Sequence, residues 1–181
     1  MFHRRLIATL AGVSVLGMAG GAMAAGSATA PSTVTIKQST SVKFVKNRYV
    51  QDGLRWDKDV YRVRSGGTLH IVNTVATEGP HTFTVVKKTD YPKSFNCRIC
   101  DKLGKAHGAD PNSNAPPKFQ FLENGVGQNM PPNVDRPGDS GVTGAGKKGE
   151  HIDLKVTAKA GTTLYFMCII HPWMQAEVQV R

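Results

Sequence analysis

No long stretch of this chain beyond its first two dozen residues carries the 3.6-residue apolar period of a helix. The chain is instead cut into short runs in which apolar and polar residues alternate, each ended by a turn signal. Ser65-Gly66-Gly67 and Lys159-Ala160-Gly161 are the clearest turns. Strands are expected over 33–36, 41–45, 60–63, 68–75, 82–87, 152–158, 163–168 and 175–180. That pattern allows little except two antiparallel sheets packed face to face, an all-β sandwich.

The strand phases carry chemistry. Leu164, Phe166 and Cys168 share one face of their run, and Met174, Ala176, Val178 and Val180 share one face of the next. His81, Phe83 and Val85 run together in the same way. His81, Cys168 and Met174 therefore have core-facing parity. His171 lies in the connection between the last two strands and is free to turn back toward them. In Cys168-Ile169-Ile170-His171-Pro172-Trp173-Met174, a thiolate, an imidazole and a thioether fall within seven residues. With His81 as a further imidazole, following Pro80, the set combines soft and borderline donors suited to copper in both oxidation states. The other histidines compete less well. His70 and His151 have outward parity, and His107 lies in an irregular region.

The chain has three cysteines. Cys97 and Cys100 form a C-x-x-C, which leaves Cys168 over. A bound metal would occupy that thiol. Asp101 follows Cys100 where c-type haem attachment needs a histidine, so the c-type haem signature is absent. A local disulfide is the preferred reading of Cys97 and Cys100. A second metal site with His107, or a redox pair, is the alternative.

Residues 88–150 break the strand pattern and hold seven of the ten prolines. A structureless loop of that length is uncommon in a compact domain. It is expected either to fold on itself around Cys97 and Cys100 or to be mobile, with a short helix over 98–106 and one short strand over 118–122.

The first 24 residues read as an export signal: Arg4 and Arg5, an apolar run, then Ala22-Met23-Ala24 as the cleavage site. Sec and twin-arginine routes both stay open. A flexible segment over 25–33 and a single domain over 34–181 would follow, placed in the periplasm or outside the cell. The net charge of +10 suits acidic protein partners or an anionic membrane surface. Nucleic acid is not expected, since no basic-plus-aromatic recognition motif is present.

Over roughly 34–87 and 151–181 these residues resemble the cupredoxin, or type 1 blue copper, family. The carriers of the likeness are Gly67-Thr68-Leu69-His70-Ile71-Val72-Asn73 leading to Pro80-His81, and Thr163-Leu164-Tyr165-Phe166-Met167-Cys168 leading into the ligand run. The ligand spacing is similar to that of amicyanin-like and plastocyanin-like members. The resemblance implies a Greek-key β-sandwich with a long insertion over about 88–150. It further implies one copper held by His81, Cys168 and His171 with Met174 as a weak axial ligand, in a non-enzymatic electron carrier. Its partners would be other redox proteins, and Pro172 and Trp173 would form part of a docking patch. Two departures stand out. Thr82 follows the first histidine where many members have Asn, and 87 residues separate His81 from Cys168. A copper storage or delivery protein is one alternative, though its usual Met/His-rich string is missing. A small copper enzyme with an added site in the insertion is another. Met167 and Ile169 flank Cys168, so the histidine that bridges to a catalytic copper in such enzymes is absent.

Overall fold

The computed structural model describes residues 32–38, 42–75, 79–113, 115–143 and 150–181. The expected signal segment at 1–24 and most of the expected flexible segment at 25–33 lie outside the described residues. The first half holds β1 (Ser32–Gln38), β2 (Lys43–Val45), β3 (Tyr49–Gln51), β4 (Leu54–Trp56), β5 (Val60–Val63), β6 (Thr68–Asn73) and β7 (His81–Val86). Then come helix α1 (Arg98–Ala106) and β8 (Phe121–Glu123), β9 (Val126–Gln128), β10 (Asn133–Val134) and β11 (Ser140–Thr143). The chain closes with β12 (Glu150–Val156), β13 (Thr163–Met167) and β14 (Gln175–Val180).

Two sheets face each other. One has the order β10-β12-β6-β1-β4 and the other β5-β14-β13-β7-β11-β8-β9. The fold is the expected β-sandwich, but its sheets are mixed rather than antiparallel. The pairs β1–β6, β10–β12 and β14–β5 are parallel. Alternation within a strand fixes which side faces the core, not the direction of its neighbour. Val34, Leu54, Trp56, Leu69, Ile71, Phe83, Leu154, Phe166 and Val178 are buried in the main core, and Cys168 and Met174 belong to the same cluster. Phe83 stacks on Phe166 with ring centroids 4.2 Å apart.

Several boundaries differ from the sequence reading for local reasons. Strand β1 starts at Ser32, inside the expected flexible segment, because Ser32 and Thr33 pair with Leu69 and His70 of β6. Strand β6 stops at Asn73, whose side-chain oxygen accepts the N–H of Val75 at 2.9 Å, a turn that ends the ladder. Strands β2 and β3 form an exposed hairpin that the sequence pattern did not reveal in full.

The larger difference is the insertion. Its described part is built into the sandwich rather than looped off it, with β10 at the edge of the first sheet beside β12 and the other strands in the second. Strand β11 pairs with β7, and β8 and β9 extend the sheet. Helix α1 spans the expected residues, and Leu103 joins Val86, Cys97, Leu122 and Met167 in a second, smaller core. Strand β7 is consequently buried at all six positions. Gly141 permits the close packing of β11: a Cβ there would lie 2.6 Å from Cδ1 of Ile152 and 3.3 Å from the Phe121 ring. Cys97 and Cys100 are joined as a disulfide at the start of α1.

Candidate metal centre

Strand pairing delivers the donor groups. In the β13–β14 hairpin, Met167 faces Gln175 and Phe166 faces Ala176. Continued by one residue, the same register sets Cys168 opposite Met174. The N–H of Cys168 donates to the Met174 carbonyl at 3.0 Å, and the N–H of Met174 donates to the His171 carbonyl at 2.9 Å. The seven-residue run is thereby closed on itself, with Cys168 and Met174 both buried. Strand β7 lies beside β13, with Val85 opposite Phe166 and Thr84 opposite Met167. This brings His81, at the start of β7, to the same end of the core.

Three donors converge there. Sγ of Cys168 lies 3.6 Å from Nδ1 of His171 and 4.0 Å from Nδ1 of His81. The two Nδ1 atoms are 3.1 Å apart. Bonds of about 2.0 Å to imidazole nitrogen and about 2.3 Å to thiolate sulfur let one first-row ion touch two nitrogens up to about 4 Å apart, or a nitrogen and a sulfur up to about 4.3 Å apart. All three spacings fall within those limits.

No family model matches the chain, and no curated protein matches it. Solved structures do. Auracyanin A, a "blue" copper protein from the green thermophilic photosynthetic bacterium Chloroflexus aurantiacus, is 17% identical over 84% of this chain and 100% of its own, with a TM-score of 0.44. Dithionite-reduced auracyanin from the photosynthetic bacterium Roseiflexus castenholzii is 19% identical over 70% of this chain and 87% of its own, with a TM-score of 0.41. A purple cupredoxin from Nitrosopumilus maritimus is 9% identical over 82% of this chain and 98% of its own, with a TM-score of 0.39. These are likenesses of shape; the chemistry of the centre is read from the donor geometry of this chain.

That geometry fits copper. Burial, reinforced by the neighbouring His171, holds His81 down at about 4, so its imidazole is neutral at neutral pH and offers a lone pair. Burial pushes the Cys168 thiol up, opposed by hydrogen bonds from the backbone N–H groups of Thr82, His171 and Ile170 and from the Thr82 side chain. A coordinated cation reverses that balance, because a ligating thiol is deprotonated outright. Nε2 of His81 is buried without a hydrogen-bond partner, so the ring is oriented by packing and by what its Nδ1 faces. Cys168 is the one free cysteine among the described residues.

Thr82 does more than its place in the sequence suggested. Its N–H donates to Cys168 Sγ at 3.3 Å, and its hydroxyl accepts the N–H of Ile169 at 2.9 Å. Behind it runs a buried chain of hydroxyls. Thr84 Oγ1 lies 3.0 Å from Thr82 Oγ1 and 2.7 Å from Ser140 Oγ, and Ser140 Oγ lies 2.9 Å from Nε2 of His107. Nδ1 of His107 donates to the Phe119 carbonyl at 2.8 Å. Burial lowers the His107 pKa; in the neutral ring, Nε2 accepts from Ser140. No local signal in the sequence ties His107 or Ser140 to the ligand run, since the contacts cross from the insertion to β7.

The rim of the centre is aromatic. His171 is half-buried, and its ring lies 5.3 Å from that of Trp173, which lies 5.6 Å from that of Phe95. Trp173 Nε1 donates to the Leu54 carbonyl at 3.0 Å. Pro172 departs from expectation: it is buried, with its carbonyl accepting from the Gln175 side chain at 2.8 Å. The exposed apolar groups here are instead Trp173, Phe95, Tyr49 and Val50, which line one shallow groove.

Proposed function

We propose that this chain is a type 1 copper protein that carries single electrons between redox partners outside the cytoplasm. The observation that supports it is the convergence of His81, Cys168 and His171 at donor spacings of 3.1–4.0 Å. His81, Cys168 and His171 would hold the metal, with the thioether of the buried Met174 as a weak fourth donor. Copper there would supply a one-electron couple, and a donor set between the preferences of Cu(I) and Cu(II) keeps rearrangement on transfer small.

The residues of the chain account for the rest. The sandwich core pins His81 and Cys168 and excludes water from them. Thr82 clamps the backbone on the far side of Cys168. His171 alone of the three reaches toward solvent, and the contact of its ring with Trp173, whose ring in turn meets that of Phe95, forms the path by which the electron leaves. Trp173, Phe95, Tyr49 and Val50 make the apolar docking patch, with Gln51 and Asp52 also lining it, and the β2–β3 hairpin that supplies Tyr49 and Val50 carries the exposed Lys43, Lys46 and Arg48. That combination suits a redox protein with an apolar contact face and an acidic rim. Burial of the donors disfavours a storage or delivery role, which needs ligands open to exchange. The export signal over 1–24 supports the location.

The test is the visible and electron spin resonance spectrum of the mature protein loaded with Cu(II), beside Cys168→Ser. An intense thiolate-to-copper band with narrow copper hyperfine splitting, lost in the variant, is expected. A pale protein with ordinary Cu(II) splitting would overturn the reading.

A further inference from the structure

The outer face of the five-stranded sheet carries a second convergence of metal donors, separate from the buried centre. His70 on β6 and Asp153 on β12 are register partners across an antiparallel pair. Residues directly opposite on such a pair present side chains on one face at close range. Nδ1 of His70 lies 2.6 Å from Oδ1 of Asp153. His151 stands two residues before Asp153 on the same strand and so on the same face. Its ring is 4.6 Å from that of His70, inclined by 45°. One donor atom from each of the three lies within 4.8 Å of the others. The parity that keeps His70 and His151 out of the core puts them together on the opposite face.

We infer that His70, His151 and Asp153 form a surface site for a divalent first-row transition cation. Two imidazoles and one carboxylate suit Zn(II) or Cu(II), with Cu(II) bound more tightly where both compete. Three protein donors leave further positions to water, as in open zinc sites. With no thiolate or thioether, the site does not favour Cu(I) and does not share the chemistry of the buried centre. The two donor strands are hydrogen-bonded neighbours through six paired positions, from Glu150–Asn73 to Lys155–Thr68, so the backbone spacing of the donors is fixed before any ion arrives. His70 is half-buried while His151 and Asp153 are exposed, which leaves the ion an open approach. Lys155, exposed on the same face two residues beyond Asp153, is the one nearby charge on β12 that opposes a cation.

The experiment is a Zn(II) titration by calorimetry and equilibrium dialysis, on protein first given Cu(II) to fill the buried centre, then dialysed against a chelator that strips copper from the exposed surface and is removed before Zn(II) is added. Wild type is compared with His70→Gln/His151→Gln, Asp153→Asn and Lys155→Gln. All four positions lie on the sheet surface, and thermal melts confirm that each variant is folded. Wild type should take up one more equivalent of Zn(II) than the double variant. Asp153→Asn should bind about tenfold more weakly or worse, and Lys155→Gln more tightly. Because the result is a difference between variants, it stands whether or not the buried centre binds copper as proposed. Equal uptake by wild type and double variant would overturn the site. Uptake unchanged in Asp153→Asn would mean loose association with single surface imidazoles, and would overturn it equally. Added Cu(II) should give a second resonance signal of ordinary splitting, lost in the double variant.

Discussion

The hydroxyl of Thr82 accepts the backbone N–H of Ile169 at 2.9 Å, one residue past the cysteine that its own N–H contacts. One residue of β7 thus grips the ligand run on both sides of the thiol. Thr82→Val keeps the shape and the β-branched backbone preference but takes the hydroxyl from the Ile169 N–H and leaves the Thr84 hydroxyl with Ser140 alone. The expected loss is about 1–3 kcal/mol of stability, read by urea denaturation, with a shifted reduction potential in the copper-loaded protein. Thr82→Ser should restore most of both. An unaltered potential in Thr82→Val would show that the clamp is structural only.

Asp139 anchors the insertion. It is buried, and its carboxylate accepts three backbone N–H groups, from Asn124, Asp135 and Arg136, at 2.9–3.0 Å. Its main chain also pairs with β7, through Val85 N–H to the Asp139 carbonyl at 2.8 Å. Asp139→Ala should cost at least about 3 kcal/mol, since hydrogen bonds to a charged group are worth about 1.5–3 kcal/mol each. Proteolysis would report the consequence as new cleavage within 120–140, which wild type resists.

Low pH should destabilise the copper-free protein through His81. Its pKa is held down at about 4 by burial and by His171. The unfolded chain therefore takes up a proton between about pH 6.5 and 4 that the folded chain does not, and stability falls as pH falls through that window. The His81 share approaches about 3 kcal/mol and levels off below pH 4. His107, lowered by burial, acts in the same sense. Urea midpoints at pH 7, 5.5 and 4 check this, and His81→Gln should flatten the slope. Parallel slopes in wild type and variant would refute it.

Trp173 is the residue whose replacement should separate binding of a partner from the copper centre itself. It is 39% exposed, enough to be touched, yet its ring contacts both His171 and Phe95. Trp173→Lys should leave the visible band in place and slow electron exchange with a physiological partner by about tenfold or more, the scale of a lost interface anchor. Stopped-flow kinetics would decide. Unchanged rates would remove the patch from the account.

Much of the site was legible in sequence because strand parity and local spacing determine it. Cys168 and Met174 are placed by the hairpin that joins them, and His81 by its phase with Phe83 and Val85. The insertion was not legible. Strand β11 reads Ser140-Gly141-Val142-Thr143, which shows no apolar alternation because the strand is buried at every position, and its glycine answers to Ile152 far along the chain. The same cover explains why Thr82 and Thr84, polar in an alternating strand, are buried rather than solvated. Pro172 turns inward and Trp173 outward, a choice that closeness to a ligand in sequence does not make between two adjacent side chains.

The unequal exposure of the two ring donors, His81 sealed in the core and His171 at the rim, gives the proposed carrier a single doorway. Whatever delivers an electron and whatever collects it must use the same few aromatic groups, so the two cannot be bound at once. Traffic then obeys a shuttle's rule: load, let go, rebind. Throughput is capped by how quickly each visitor leaves, and an excess of either one should act as a competitive inhibitor of the other.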